Sequence, residues 1–167
     1  MHKLLSKETG KEMLLLGNEA IARGAYEYGV EVATGYPGTP SSEILENIAA
    51  VASDFGIWAE WSVNEKVAYE VAYGAAVGGV RSLFACKHVG LNVAMDPLMT
   101  SSYTGINGCF VLISADDPSM YSSQNEQDTR RYAKFARLPC LDPADSQEAM
   151  DIRSEAQAFF DDLDAGL

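Results

Sequence analysis

The stretch VEVATGYPGTPSSEILE, residues 30–46, decides how the chain is read. Its first half is a short apolar run of β-branched and small residues, which predicts a strand. The run breaks at Tyr36-Pro37-Gly38-Thr39-Pro40, a turn crowded with glycine and proline. Two serines and a glutamate then lead into apolar residues at helical spacing. Thr39 is a candidate helix cap, Pro40 suits the first helical position, and Glu43 suits the positive end of the helix dipole. Strand, tight turn and helix in that order are the first half of a strand–helix–strand unit.

The same alternation runs outward in both directions. Upstream, residues 14–29 (LLLGNEAIARGAYEYG) place Leu15, Ile21, Ala22 and Ala25 at helical spacings, with Gly29 as the stop. Downstream, residues 41–56 read as a helix with Ile44, Leu45, Ile48 and Val51 on one face, and residues 57–61 (IWAEW) as a short strand. Residues 62–79 (SVNEKVAYEVAYGAAVGG) form a helix rich in small side chains, able to pack closely on its neighbours. RSLFAC (81–86) and GCFVLIS (108–114) are continuous apolar runs of the kind buried on both faces of a parallel sheet, with a helix predicted between them over 90–105. Two more helices are predicted over 122–136 and 145–160, with RLPCLD (137–142) as a last strand between them. The expected fold class is α/β, an open parallel sheet with helices on both faces, in a single domain over residues 1–167. Ligands on such sheets bind beyond the carboxyl ends of the strands, so the turns that follow strands are the places to look for chemistry.

Composition narrows the function. With 167 residues, 47% hydrophobic and 22% charged, the chain can bury a sizeable core. A net charge of −12 argues against a nucleic-acid or anionic-membrane partner, either of which calls for a cationic face. No signal peptide is read at the N-terminus and no apolar run approaches the ~20 residues that span a bilayer, so a cytoplasmic protein is expected. The three cysteines, Cys86, Cys109 and Cys140, have neither disulfide-framework nor metal-site spacing and read as reduced thiols.

Three stretches carry candidate chemistry. Ser62 and Glu65 have the spacing of a capping box. Glu65 is also flanked by Trp61, Val63, Val67 and Ala68, and a carboxyl pressed into apolar surroundings holds its proton more readily, which makes it a candidate proton donor or acceptor. In CKHVGLNVAMDP (86–97), His88, Gly90 and Asn92 are placed either to line a ligand site or simply to build a loop. Asp116 and Asp117 in SADDP read as solvated loop acids. No G-x-G-x-x-G or G-x-x-x-x-G-K-[ST] phosphate loop occurs.

Together, ATGYPGTPSSEILE, the segment from Trp61 to Met99, and GCFVLISADDPSMYSSQNEQDTRRYAKFARLPCLDP resemble one family over residues 12–155. They are similar to the N-terminal pyrimidine-binding domain of the indolepyruvate ferredoxin oxidoreductases, alpha subunit, within the wider 2-oxoacid:ferredoxin oxidoreductases. That family uses thiamine diphosphate. The resemblance implies that Glu65 hydrogen-bonds the aminopyrimidine ring and supplies a proton to its ring nitrogen, so that the cofactor's own amino group can deprotonate the thiazolium carbon. It further implies that Tyr36, Pro37, Gly38 and Thr39 form a pocket wall where 2-oxoacid meets cofactor, with Thr39 against substrate. The segment containing His88, Gly90 and Asn92 would pass close to the cofactor.

Two departures qualify it. The related pyruvate enzymes carry a carboxylate-binding arginine where this chain has Ala115 and Asp116, which agrees with an aryl pyruvate substrate. The GDG motif that marks the diphosphate and magnesium domain, and the clustered cysteines of iron–sulfur sites, are also missing from these residues. The implied whole is a longer subunit: this domain, inert alone, works with a diphosphate-binding domain, a beta subunit, ferredoxin, coenzyme A and homo-oligomer contacts. Such an enzyme would oxidatively decarboxylate indolepyruvate to the aryl-acetyl-CoA. Two other readings stay open, a pyrimidine-binding subunit of a non-oxidative thiamine-dependent decarboxylase and a non-catalytic assembly domain.

Overall fold

A computed structural model describes residues 3–5, 10 and 12–151. Its centre is a four-stranded, all-parallel sheet built from β1 (Val32–Gly35), β2 (Trp58–Trp61), β3 (Arg81–Lys87) and β4 (Cys109–Ala115), in the order β2-β1-β3-β4. The helices are α1 (Gly17–Glu27), α2 (Ser42–Phe55), α3 (Glu65–Val77), α4 (His88–Val93), α5 (Met95–Thr104) and α6 (Arg130–Ala136), and residues 146–151 are also helical. This is the α/β architecture that the alternating pattern implies. Among the described residues no helix is long and apolar enough to cross a membrane.

Two apolar layers sandwich the sheet, and strand periodicity creates them. On β3, Leu83 and Ala85 join one core with Ala22 and Ala25 of α1 and Ile44, Leu45, Ile48 and Val51 of α2. The alternate residues Phe84 and Cys86 join the other, with Ala68, Tyr69 and Ala72 of α3 and Leu91, Ala94 and Leu98 beyond. The helix at 146–151 lies against α1. A Cβ on Gly24 would come within 2.6 Å of the Met150 carbonyl oxygen, so this contact requires glycine.

The small residues of α3 do what their sizes suggest. Ala68, Ala72 and Ala76 are all fully buried, four residues apart on one face. With no bulk between helix and sheet, the Thr34 hydroxyl of β1 donates to the Ala68 carbonyl and the Ser82 hydroxyl of β3 donates to the Ala72 carbonyl, both at 2.7 Å. Two buried hydroxyls thereby find acceptors, which removes the penalty of leaving them bare.

Three elements differ from expectation. The helix predicted over 90–105 is two helices that meet at Ala94. Of the helix predicted over 122–136, only Arg130–Ala136 is helical, because the segment before it is folded around Asp117. Residues 137–142 form no strand, and Pro139 removes a backbone donor in the middle of that run. Within the last predicted helix, residues 152–160 lie outside the described residues.

Candidate functional site

The strand order reverses between β1 and β3: from β1 the chain crosses to β2 on one side, then returns over β1 to β3 on the other. At such a switch point the loops leaving neighbouring strands diverge and open a crevice at the carboxyl edge. The residues singled out by sequence all lie on segments that leave this edge.

The turn after β1 is organised around Gly38. Its carbonyl accepts from Ser41 N at 2.8 Å, Ser42 N at 3.1 Å and Ser41 Oγ at 2.7 Å, while its own N–H donates to Ser42 Oγ at 2.7 Å. Helix α2 therefore starts at Ser42 with Ser41 at the cap position, so Thr39 is not the cap and Pro40 is not the first helical residue. Released from that role, Thr39 is exposed, as are Tyr36 and Pro37, while Gly38 is half-buried. The Thr39–Pro40 peptide is cis.

Glu65 opens α3 directly beyond β2. The capping-box reading fails: the cap is Asn64, whose side-chain oxygen accepts from Val67 N at 2.9 Å, and Ser62 lies outside the helix. No donor among the described residues engages the Glu65 carboxylate. Its apolar flanks differ from expectation too, since Trp61 and Val63 are exposed and only Ala68 is fully buried. The carboxyl group instead occupies the space that Gly90 of α4 leaves open. A Cβ at residue 90 would lie 2.5 Å from Glu65 Oε1, 2.7 Å from its Cγ and 3.0 Å from its Cδ. Any larger residue at 90 would force this side chain to move. Burial pushes the Cys86 thiol pKa up, and the neighbouring Glu65 and Asp116 carboxylates push it further.

His88 is fully buried at the start of α4 rather than placed in a loop. Its Nε2 donates to the Asn125 carbonyl oxygen at 2.9 Å, and its Nδ1 is buried without a partner. Asn92, one turn further on, is exposed, and its Oδ1 accepts from Tyr132 of α6 at 3.1 Å. The structure thus joins Glu65 with Gly90, but engages Asn92 with α6.

Lys87, which sequence reading passed over, ties the segments together. Its stem lies against Gly38, where a Cβ would come within 2.8 Å of Lys87 Cδ, and its Nζ donates to the Ser122 carbonyl at 2.7 Å. Nothing in a lone lysine at a strand end signals this, because the contact depends on the parallel pairing of β1 with β3. The loop it reaches is built by the two acids expected to be solvated. Asp117 is buried and accepts from Ser123 Oγ, Ser122 N and Tyr121 N, and Asp116 accepts from Thr129 N and Oγ1. The Ser123 hydroxyl first, then the Ser122 amide, hold the Asp117 carboxyl below the usual aspartate range.

Known proteins are similar to this chain in sequence and in fold. The family described as "Pyruvate flavodoxin/ferredoxin oxidoreductase, thiamine diP-bdg" matches residues 23–161. The chain is 58% identical over 149 residues to the Pyrococcus abyssi protein named "Indolepyruvate oxidoreductase subunit IorA", covering 89% of this chain and 23% of that one. It is 51% identical over 162 residues to the Methanothermobacter thermautotrophicus protein of the same name, covering 97% of this chain and 26% of that one. The chain therefore spans about a quarter of the length of these relatives. A solved 2-oxoglutarate:ferredoxin oxidoreductase from Magnetococcus marinus shares the fold, with a TM-score of 0.72 over 86% of this chain and 26% of that chain, at 18% identity. The chain belongs to the thiamine diphosphate-binding family of the pyruvate flavodoxin/ferredoxin oxidoreductases.

Proposed function

We propose that this chain is the pyrimidine-binding domain of a 2-oxoacid:ferredoxin oxidoreductase acting on aryl pyruvates, with Glu65 as its proton-handling residue. The observation that carries the reading is the Glu65 carboxylate, free of any donor among the described residues and seated on Gly90 at the carboxyl edge of the sheet. Such a group fits an aminopyrimidine ring, which presents nitrogens that need a hydrogen-bonding partner and a flat body that needs a wall with little side chain. Gly90 supplies such a wall, and the Tyr36–Thr39 turn lies at the same edge of the sheet.

When bound, thiamine diphosphate supplies a nucleophilic carbon and an electron sink for decarboxylation. Glu65 holds the proton that passes between its carboxyl oxygen and the pyrimidine nitrogen. Gly90 leaves the space beside α4 that the Glu65 side chain occupies. Gly38 and Thr39 line the approach of the 2-oxoacid, and the buried His88 fixes the segment that carries Gly90.

In this reading the remainder of a longer subunit holds the diphosphate and its magnesium, and carries the iron–sulfur clusters. Among the described residues there is no group of His, Cys, Asp and Glu that could hold a metal ion. The complete enzyme, a cytoplasmic assembly with a beta subunit, releases carbon dioxide, transfers the acyl carbon to coenzyme A and passes the electron pair to ferredoxin. The substrate assignment is supported by the identity to proteins named indolepyruvate oxidoreductase subunits.

The test is anaerobic reduction of a viologen dye by the full-length subunit assembled with its partner, dependent on indolepyruvate and coenzyme A. Wild type is expected to turn over and Glu65→Gln to lose about 10²–10⁴-fold in kcat. Turnover without coenzyme A and without dye reduction would instead identify a non-oxidative decarboxylase.

A further inference from the structure

The carboxyl edge of the sheet is rich in acids, with Glu65, Asp116 and Asp117 gathered there in a chain of net charge −12. A 2-oxoacid brings another carboxylate into this field. Like charges at close quarters repel, so a cation has to meet it. The cations around the edge differ in their commitments. Lys66, next to Glu65, pairs with Asp96 at 2.8 Å and with Glu70 at 4.0 Å. Arg130 pairs with Asp128 and Asp142, and Arg131 pairs with Asp128. Lys87 makes no direct ion pair among the described residues: its Nζ bonds a neutral carbonyl, that of Ser122, and its charge reaches the Asp117 carboxylate only at longer range.

The place of Lys87 is as informative as its lack of a directly bonded carboxylate. It is the last residue of β3, at the point where β3 and β1 diverge and the crevice opens. Its stem packs on Gly38, so the ammonium is carried out between the turn after β1 and the loop after β4. Three residues later comes Gly90, the seat of Glu65. The next residue, His88, is fully buried, holds the same loop through the Asn125 carbonyl, and leaves Nδ1 without a partner. An ammonium has three donors, and the Ser122 carbonyl takes one. Two remain for a carboxylate.

We propose that Lys87 binds the carboxylate of the 2-oxoacid substrate and so orients its keto carbon. This rests on the function proposed above. Gly38 belongs to the same device: a side chain at residue 38 would collide with the Lys87 stem and displace the charge. The Asp117 loop provides the far support, since the carbonyl that Lys87 bonds belongs to Ser122, whose own N–H is held by Asp117 at 2.7 Å.

The experiment uses the full-length subunit assembled with its partner. Indolepyruvate and its methyl ester are compared as substrates of wild type, Lys87→Met and Lys87→Arg. Binding of indole-3-propionate, an unreactive carboxylate of similar shape, is measured alongside by calorimetry. Methionine keeps an apolar stem against Gly38 and removes the charge. Wild type should prefer acid to ester, and Lys87→Met should lose about 10- to 100-fold in kcat/KM for the acid while changing little for the ester. Lys87→Arg should recover most of the preference, and analogue affinity should follow the same order. Equal losses on acid and ester, or unchanged analogue binding in Lys87→Met, would overturn the assignment of Lys87 while leaving the proposed function standing. A wild-type enzyme that turns over no 2-oxoacid would overturn both. If Lys87→Met fails to assemble, Lys87→Gln decides, since it keeps a hydrogen-bonding end for the Ser122 carbonyl and removes the charge: loss of the acid-over-ester preference supports the assignment, and an unchanged preference overturns it.

Discussion

Glu65 Oε1 lies 2.5 Å from the position that a Cβ on Gly90 would occupy, so the carboxyl group of one helix rests on the bare backbone of another. This relationship brings together two segments 25 residues apart (90 − 65) at the mouth of the crevice.

Gly90→Ala separates packing from propensity. Alanine favours a helix over glycine by up to about 1 kcal/mol, so a residue serving α4 alone would become more stable on substitution. Here the added methyl meets Oε1, Cγ and Cδ of Glu65 at 2.5–3.0 Å. The full-length variant should lose at least tenfold in activity and bind thiamine diphosphate more weakly, with little gain in Tm. Thermal scans with and without cofactor check this.

Asn64 and Ser62 should behave differently. Asn64→Ala removes the oxygen that accepts from Val67 N, and loss of such a cap costs about 1 kcal/mol. Ser62→Ala touches no cap and should change stability by less than about 0.5 kcal/mol. Urea denaturation of the two variants gives the comparison.

Tyr69 supplies a pH signature. Its ring is buried against Phe84 and Phe110, its hydroxyl bonds Ser101 Oγ, and burial pushes its pKa up from 10.0 to about 12. A folded value above the unfolded one means that the neutral phenol favours the folded state. The contribution is therefore complete below pH 10 and is lost as pH rises toward 12. Stability should fall through that window, and Tyr69→Phe should flatten the slope. Denaturation midpoints between pH 9 and 12 test it.

Asp117 has the opposite sign. Its carboxyl is held below the ordinary value of 3.8 by Ser123 first and by the Ser122 and Tyr121 amides. Its contribution is complete above that value and is lost as pH falls through the lower folded one. The loop from 117 to 123 should open in acid, and in Asp117→Ala already at neutral pH. Hydrogen exchange at the Tyr121 and Ser122 amides reports the opening.

Much of this was legible from the residues. Apolar runs gave β1 to β4, and the small-residue repeat of α3 anticipated its close seat on the sheet. Glu65 was singled out by its apolar flanks and by the family resemblance, and the flanks proved largely exposed. The misreadings were local patterns overruled by tertiary ones. Thr39 and Ser62 had good capping chemistry, but the chain placed Ser41 and Asn64 at those positions. The apolar run at 137–142 carried proline, and the acids at 116 and 117 had backbone donors to bind. Lys87 and the glycines that receive Glu65 and Lys87 acquire meaning only when parallel strands bring separate loops together.

The central claim concerns a proton, so the most direct measurement follows one. Full-length enzyme loaded with thiamine diphosphate is mixed with deuterium oxide, quenched in acid, and the exchange at the thiazolium C2 position is read by NMR. Wild type should exchange that proton faster than it turns over, and Glu65→Gln should slow the exchange about 10²–10⁴-fold with cofactor still bound. Equal exchange rates in the two proteins would contradict the role given to Glu65 and leave its carboxyl without a function at this edge.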